Sequence, residues 1–271
     1  MGDAKATRRF GFAAAIALML AAAGFAGGSS AADDPAAAAA HAPLPPGDEG
    51  ELIRYGRLLV TDTQTAAGKY VTAGMSCEAC HLDAGTKAHG GSFLGIYAKF
   101  PQWNKRAKRF ITLGDRLQEC FLYSMNGTPP ALNSREITAL TAYIAFLSRG
   151  AEVGKGFPDQ GFVTVNAPAA PDAARGSAIY GTKCASCHAA DGGGNPAAHI
   201  PPLWGAASFN DGAGMNTKMP AFVKANMPLG QGGSLSDQEA VDVSAYVLSH
   251  PRPHFQGSRM IDFPPEPASY F

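Results

Sequence analysis

The sequence predicts a mainly α-helical protein built as two similar domains in tandem, and three observations carry that expectation. The stretch Leu132 to Leu147, LNSREITALTAYIAFL, aligns without a gap with Leu235 to His250, LSDQEAVDVSAYVLSH. The pentapeptides CEACH (Cys77 to His81) and CASCH (Cys184 to His188) precede the two copies, so they belong to an internal duplication rather than standing as isolated strings. Between the copies, Gly154 to Gly176, GKGFPDQGFVTVNAPAAPDAARG, is rich in Pro, Gly and Ala and reads as a linker. At 271 residues and 46% apolar content the chain can supply a core to each domain.

Taken in order, the chain opens with Lys5, Arg8 and Arg9, an Ala-rich apolar run and small residues up to Ala32, the layout of a secretory signal peptide over residues 1–32. The apolar run is short and alanine-heavy for a membrane span, so cleavage and export to the periplasm are expected. Removing 1–32 takes away those three bases and Asp3, leaving 19 basic against 21 acidic residues of the original 22 and 22. Nothing in that balance points to nucleic acid. Residues 33–50, including DDPAAAAAHAPLPP, are low in complexity and expected to be flexible. The first domain is expected over 51–150, the linker over 151–171, the second domain over 172–257 and a tail over 258–271.

Within each domain, YGRLLV and RGSAIY put Gly56 and Gly176 on short helices ahead of the pentapeptides. A glycine there lets one helix cross close to another, near Tyr143 or Tyr246. Ser236 and Glu239 have capping-box spacing, with Asn133 and Glu136 in the matching places, so a helix opens at each. Ile137, Leu140, Ile144 and Leu147 share one helical face, as do Ala240, Val243 and Val247.

C-x-x-C-H is the pattern of covalent haem attachment, in which two thiols add to the haem vinyl groups and the histidine reaches the iron. Cys77, Cys80 and His81, and Cys184, Cys187 and His188, therefore predict two covalently bound c-type haems. Paired zinc-binding C-x-x-C units would lie 15–20 residues apart, whereas these lie over a hundred apart. A thioredoxin-like site would need βαβ periodicity, which is absent.

Each iron has a second axial position. In the second domain Met215, Met219 and Met227 are eligible. Met227 is favoured, since it precedes Pro228 and the C-terminal helix, whereas the helix expected after Met219 sets that residue back. In the first domain, Cys120 lies as far beyond His81 as Met227 lies beyond His188, which nominates the thiol. Alignment back from the C-terminal helices puts Met227 opposite Ser124, next to Met125. Spacing leaves Cys120 and Met125 both open, and an unpaired thiol in an exported protein tilts toward Cys120 having a task. A thiolate ligand would lower the potential of the first haem relative to a His/Met neighbour, setting a direction for electron flow. His41, His89, His199, His250 and His254 lack ligand spacing.

The segment Lys99 to Arg116 carries six basic residues and one acid. Arg116 and Ser124 flank Cys120 at four-residue spacing, one helical face, and a planar guanidinium beside a hydroxyl suits an oxyanion such as a sulfonate. A solvated basic face, or partners for haem propionates, would leave the same signature.

Each half resembles a class I cytochrome c domain, wrapped around its haem. More closely, RLQECFLYSMNG and NMPLGQGGSLSDQEAVDVSAYVLSHPRP resemble the diheme thiosulfate dehydrogenase family. The resemblance implies oxidation of two thiosulfates to tetrathionate, reversible in some members, with electrons passing from a His/Cys haem to a His/Met haem and on to a soluble or membrane-bound acceptor protein such as a cytochrome c. It implies His81 and Cys120 as ligands of the first iron, His188 and Met227 of the second, and Arg106, Arg116 and Ser124 as lining the substrate pocket. Some members carry a lysine just before the methionine; here that position is Asn226, which argues against a lysine-to-methionine ligand switch, although Lys218 and Lys224 are close in sequence. Two rival readings are a non-catalytic diheme electron carrier with Met125 at the first iron, and a sulfur-pathway subunit carrying substrate on a modified cysteine.

Overall fold

The computed structural model describes residues 1–2 and 34–255. The expected signal peptide, beyond its first two residues, and the expected tail over 258–271 lie outside the described residues. The first half comprises α1 (Pro35–Ala40), α2 (Gly47–Thr61), α3 (Thr63–Ala67), α4 (Leu82–Gly85), a hairpin of β1 (Gln102–Asn104) and β2 (Arg109–Ile111), α5 (Leu113–Glu119) and α6 (Arg135–Phe146). Between α5 and α6, a π-helical turn (Cys120–Ser124) continues α5 without a break. The second half comprises α7 (Ala173–Lys183), α8 (Ala185–His188), α9 (Met215–Asn226) and α10 (Asp237–Leu248). The mainly α, two-domain expectation is borne out.

The glycines work as the sequence suggests. A Cβ at Gly56 would come within 2.1 Å of the Ala139 carbonyl and 2.7 Å of Tyr143 Cβ; at Gly176 it would meet the Asp242 carbonyl at 2.0 Å and Tyr246 Cβ at 2.8 Å. Absence of a side chain is therefore what lets α2 cross α6, and α7 cross α10, backbone on backbone. At the second crossing, buried Asp242 accepts two bonds from Arg175, from Nε at 2.7 Å and Nη2 at 2.9 Å, and one from the Asp172 amide at 2.8 Å. From α6, the Tyr143 hydroxyl donates to Ala84 O (2.8 Å); in the second half, that of Tyr180 on α7 donates to Ala189 O (2.7 Å). Each ties a helix to the loop just past a haem motif.

Two local expectations are corrected. The capping box forms at α10, where Ser236 and Glu239 bond reciprocally. At α6 the cap is Ser134, which accepts from Ile137 N, and not Asn133. Helix start thus shifts one residue, because a serine hydroxyl stands there where the second copy has Asp237, and Glu136, half-buried, lies 3.9 Å from Lys69. The second correction concerns the segment expected to be flexible over 33–50, whose described part is ordered. Asp34 caps α1, and Ala36 and Ala39, three apart on one face, are buried in the first core. Alanine costs the least to hold in a helix and fits where a larger residue would not.

Ile53, Leu59, Val60, Phe121, Leu140 and Ile144 belong to a core within the first half. A second core is shared: Ala73, Met75, Tyr123 and Met125 pack with Tyr180, Phe209, Met219, Val243 and Val247 of the second half. Residues 151–171 run as a strap. Phe157 is buried in the first core and Gln160 accepts from Ser92 Oγ at 3.0 Å; farther on, the Asn166 amide donates to Asp237 at 2.7 Å and the Ala169 amide to Gln238 at 2.8 Å.

Candidate functional site

The first site forms where the loop after α3 meets the end of α5. Thr112 and Asp115 make a capping box that starts α5, and the helix delivers Arg116 and then Cys120, which opens the π-turn. Phe121 and Tyr123 are buried on either side of the chain at this point, which holds the turn while Cys120 stays partly accessible. Single π-turns inside helices recur at functional sites, where the extra residue re-aims a side chain.

Both motif histidines are presented as metal ligands. His81 Nδ1 is 2.5 Å from Gly91 O, and the ring stacks on Phe93 with centroids 4.3 Å apart. His188 Nδ1 is 3.1 Å from Pro201 O. A carbonyl accepting from Nδ1–H fixes the tautomer and leaves the Nε2 lone pair free for a metal. Burial pulls His81 down to about 4, the bond to Gly91 opposing and the Arg116 charge adding to the shift. Burial lowers His188 as well. Each is therefore a neutral imidazole at pH 7, the form that coordinates.

The attachment thiols sit where neutral sulfur is favoured. Burial pushes Cys77 up to about 11, despite the bond from Thr63, and Cys80 up to about 12. Surroundings that disfavour a thiolate suit a thioether, which carries no charge. In the second half, Cys184, Cys187 and His188 line a cavity of about 740 Å³ together with Met215, Met219 and Met227. Its other wall is made by Met75, Ala79 and Cys80 of the first half, so the first attachment loop abuts the second cavity. Apolar walls, a histidine with its lone pair free and methionine sulfurs fit a c-type haem.

Electrostatics bring Cys120, Arg116 and His81 together. Burial raises the Cys120 thiol, the Arg116 guanidinium pulls against that rise, and Glu119 adds to it. Arg116 is in turn held further in its charged form, first by the Cys120 sulfur. Glu119, 5% exposed, accepts from Arg116 Nη1 at 2.8 Å and from Asn104 Nδ2 at 3.0 and 3.1 Å, fixing arginine and hairpin to one carboxylate. Ser124 closes the same π-turn and is partly buried. Arg106 reaches the same π-turn from the hairpin: its guanidinium lies 4.3 Å from the centre of the Tyr123 ring and donates to Gly212 O at 2.8 Å, across the seam. Met125 is 2% exposed in the shared core, and its carbonyl accepts from the amides of Thr72 and Ala73.

At the second site, all three methionines reach the cavity, and Met219 is not set back: α9 begins at Met215, earlier than expected, and turns Met219 inward. Met227 follows the last helical residue, on extended backbone. Lys224 is committed to the start of α10, donating to Leu235 O at 2.6 Å with Asp237 at 3.2 Å. Lys218 is exposed. Asn226 is buried and donates to His89 O at 3.0 Å across the seam. His199 lines the mouth of the cavity, while His89, His250 and His254 are engaged with Gly161, Trp204 and Asp211. Sequence reasoning missed Glu119, although its i,i+3 spacing from Arg116 was readable, and the carbonyls of Gly91 and Pro201, which leave no trace in side-chain identity.

Known proteins reproduce this organisation. Residues 66–153 match the family model "SoxA/TsdA, cytochrome c domain" and residues 173–251 match "Cytochrome c". A protein of Stutzerimonas stutzeri named thiosulfate dehydrogenase is 45% identical over 225 residues, covering 81% of this chain and 73% of its own. One of the same name from Allochromatium vinosum is 42% identical over 227 residues, covering 80% and 84%. The solved thiosulfate dehydrogenase (TsdBA) of Marichromatium purpuratum superposes with a TM-score of 0.74 at 37% identity, over 78% of this chain and 48% of that one; the present chain thus spans about half its length. Two matched cytochrome c domains, each with its attachment motif and an imidazole whose Nδ1 faces a backbone carbonyl, mean that this chain carries two covalently bound c-type haems. With the matches running through both domains and the seam that joins them, the chain belongs to the thiosulfate dehydrogenase family.

Proposed function

We propose that this protein oxidises two thiosulfate ions to tetrathionate, at a site competent in either direction, and passes two electrons to an external acceptor. The observation that carries the reading is the meeting of a thiol, an arginine and a neutral imidazole, Cys120, Arg116 and His81, in one site. Relatives named thiosulfate dehydrogenase, at 42–45% identity, support it.

His81 and Cys120 would hold the first haem iron, and His188 and Met227 the second. Met227 is preferred over Met215 and Met219 because it stands past the end of α9, where its side chain is free of the helix surface. When bound, each haem would supply a one-electron acceptor, two together matching the two electrons of the oxidation. Arg116, braced by Glu119, holds a sulfonate group of thiosulfate by charge-assisted hydrogen bonds, and Ser124 adds a hydroxyl. Arg106, on the turn of the hairpin that Glu119 braces through Asn104, adds positive charge that offsets the repulsion between two dianions. The Cys120 thiolate forms a sulfur–sulfur bond to the sulfane sulfur of the first thiosulfate, two electrons leave, and the adduct is Cys–S–S–SO₃⁻. The sulfane sulfur of the second thiosulfate attacks that of the adduct, the bond to Cys120 breaks, tetrathionate departs and the thiolate is restored.

Residues 51–150 would thus be the catalytic domain and 172–257 the electron-transfer domain, acting in the periplasm after removal of 1–32, with a soluble or membrane-bound cytochrome as acceptor. A non-catalytic carrier using Met125 is disfavoured, since that side chain is committed to the shared core. The test is Cys120→Gly, assayed for tetrathionate formation with an artificial acceptor: turnover should fall at least about 10²-fold, and wild-type turnover would overturn the catalytic role.

A further inference from the structure

We infer that Asn210, contributed by the second half, is a positioning residue for the π-turn that presents Cys120 and Ser124; this rests on the assignment of Cys120 above. A helix end leaves its last carbonyls without intrahelical donors, and buried ones must find partners elsewhere. In the π-turn, Cys120 O accepts from Met125 N at 3.0 Å and Phe121 O from Gly127 N at 2.9 Å. The chain then turns away at Asn126, whose φ is 48°. The next two carbonyls are met from the other half of the molecule: Asn210 Nδ2 donates to Leu122 O at 3.0 Å and Asn210 N to Tyr123 O at 3.2 Å. The same Nδ2 reaches Asn126 Oδ1 at 3.2 Å.

Asn210 is itself locked. It is 0% exposed, its Oδ1 accepts from the Gly212 amide at 3.0 Å, and its carbonyl accepts from Asn216 Nδ2 at 3.1 Å. Every polar atom of the side chain is therefore used, and its position cannot drift independently of α9, which carries Asn216. The π pattern is the less common way to close a helical turn. Without the Nδ2 donor, Leu122 O and Asn126 Oδ1 lose their bonds to Asn210 while the backbone bond to Tyr123 O stays; the turn is then held less firmly against reverting to ordinary α geometry, and Cys120 and Ser124 would rotate relative to Arg116. The half that receives electrons thereby completes the half that handles substrate.

The test is Asn210→Ala in the full haem-loaded chain, read three ways: amide hydrogen exchange over 117–128, low-temperature electron paramagnetic resonance of the oxidised protein, and thiosulfate kinetics. The expected result is faster exchange at Met125 and Gly127, a broadened or split thiolate–haem signal from the first site, an unchanged signal from the second, and a kcat about tenfold lower with KM within about twofold. Wild-type exchange and spectrum in a folded variant would overturn the inference, as would equal disturbance of both haem signals, which marks a general loss of stability. Should the alanine variant not fold, Asn210→Ser, which keeps a short donor, is read by the same criteria. A wild-type protein lacking any thiolate–haem signal would instead sink the Cys120 assignment, leaving the exchange result to decide for Asn210.

Discussion

At the residue scale, the first site depends on charges that hold one another. Arg116 is fixed at one end by Glu119, at 2.8 Å, and feels the Cys120 sulfur at the other. A planar fork is better suited than a point charge to bridge a carboxylate and a sulfonate. Replacing it by lysine should therefore raise KM for thiosulfate about tenfold, the equivalent of ~1.4 kcal/mol, and steady-state kinetics check this; an unchanged KM would remove Arg116 from the pocket. Of this site, Cys120, Arg116 and Ser124 could be read from their four-residue spacing. Spacing does not choose between Cys120 and Met125, because the segment from Cys120 to Leu132 is four residues longer than that from Met227 to Leu235, and the single π-turn takes up only part of the difference. Arg106 was legible as a base but not in its orientation, since the partner that captures it, Gly212, lies over a hundred residues away.

At the scale of elements, the helix crossings are the most testable feature. Gly176→Ala would drive a methyl group to 2.0 Å from the Asp242 carbonyl, where backbone cannot easily yield. It should cost about 1–3 kcal/mol, the usual range for overpacking, seen as a lower midpoint in denaturant; no change would show that the crossing relaxes freely. The α10 cap gives a pH-dependent prediction. Glu239 is depressed to about 2, first by the Ser236 amide and then by Lys183. A carboxylate lowered on folding contributes stability that is whole above its ordinary value near 4.5 and is lost as pH falls from there toward 2. Denaturation of Glu239→Gln, which keeps the reciprocal bond to the Ser236 amide but loses the charge beside Lys183 and the helix N-terminus, should show a stability lower than wild type at pH 6 by roughly 0.3–1 kcal/mol, converging with it near pH 2. Equal offsets at both pH values would contradict that sign. The four terminal helices and both crossings were legible because each depends on local chemistry repeated in two copies, and this cap because its S-x-x-E spacing is itself a local signature. The shift of the α6 cap to Ser134 was not, since Asn133 and Ser134 are neighbours and both good caps, and residue type alone does not choose between them. Nor was the order in α1, which comes from burial of two alanines that composition alone marks as low complexity.

At the scale of the whole molecule, the two halves are joined by more than their strap. Met75, Tyr123 and Met125 are buried against Phe209, Met219 and Val247, and Asn210 and Asn226 cross the seam with side-chain bonds. Halves that share a core should unfold together, so calorimetry of the haem-loaded protein should give one transition; two well-separated transitions would show that the seam contributes little. The duplication alone suggests two beads on a linker, because nothing in a repeat says that its copies bury surface against each other. The shared seam also brings the two attachment motifs together: the wall of the second cavity contains Cys80 of the first motif, so a haem held by that motif would stand close to one held by Cys184 and Cys187. The most direct measurement is low-temperature electron paramagnetic resonance of the fully oxidised protein beside its Cys120→Gly variant. Thiolate ligation by Cys120 predicts a low-spin thiolate–haem signal that disappears in the variant while the second haem's signal persists. A wild-type spectrum without a thiolate–haem signal would contradict it.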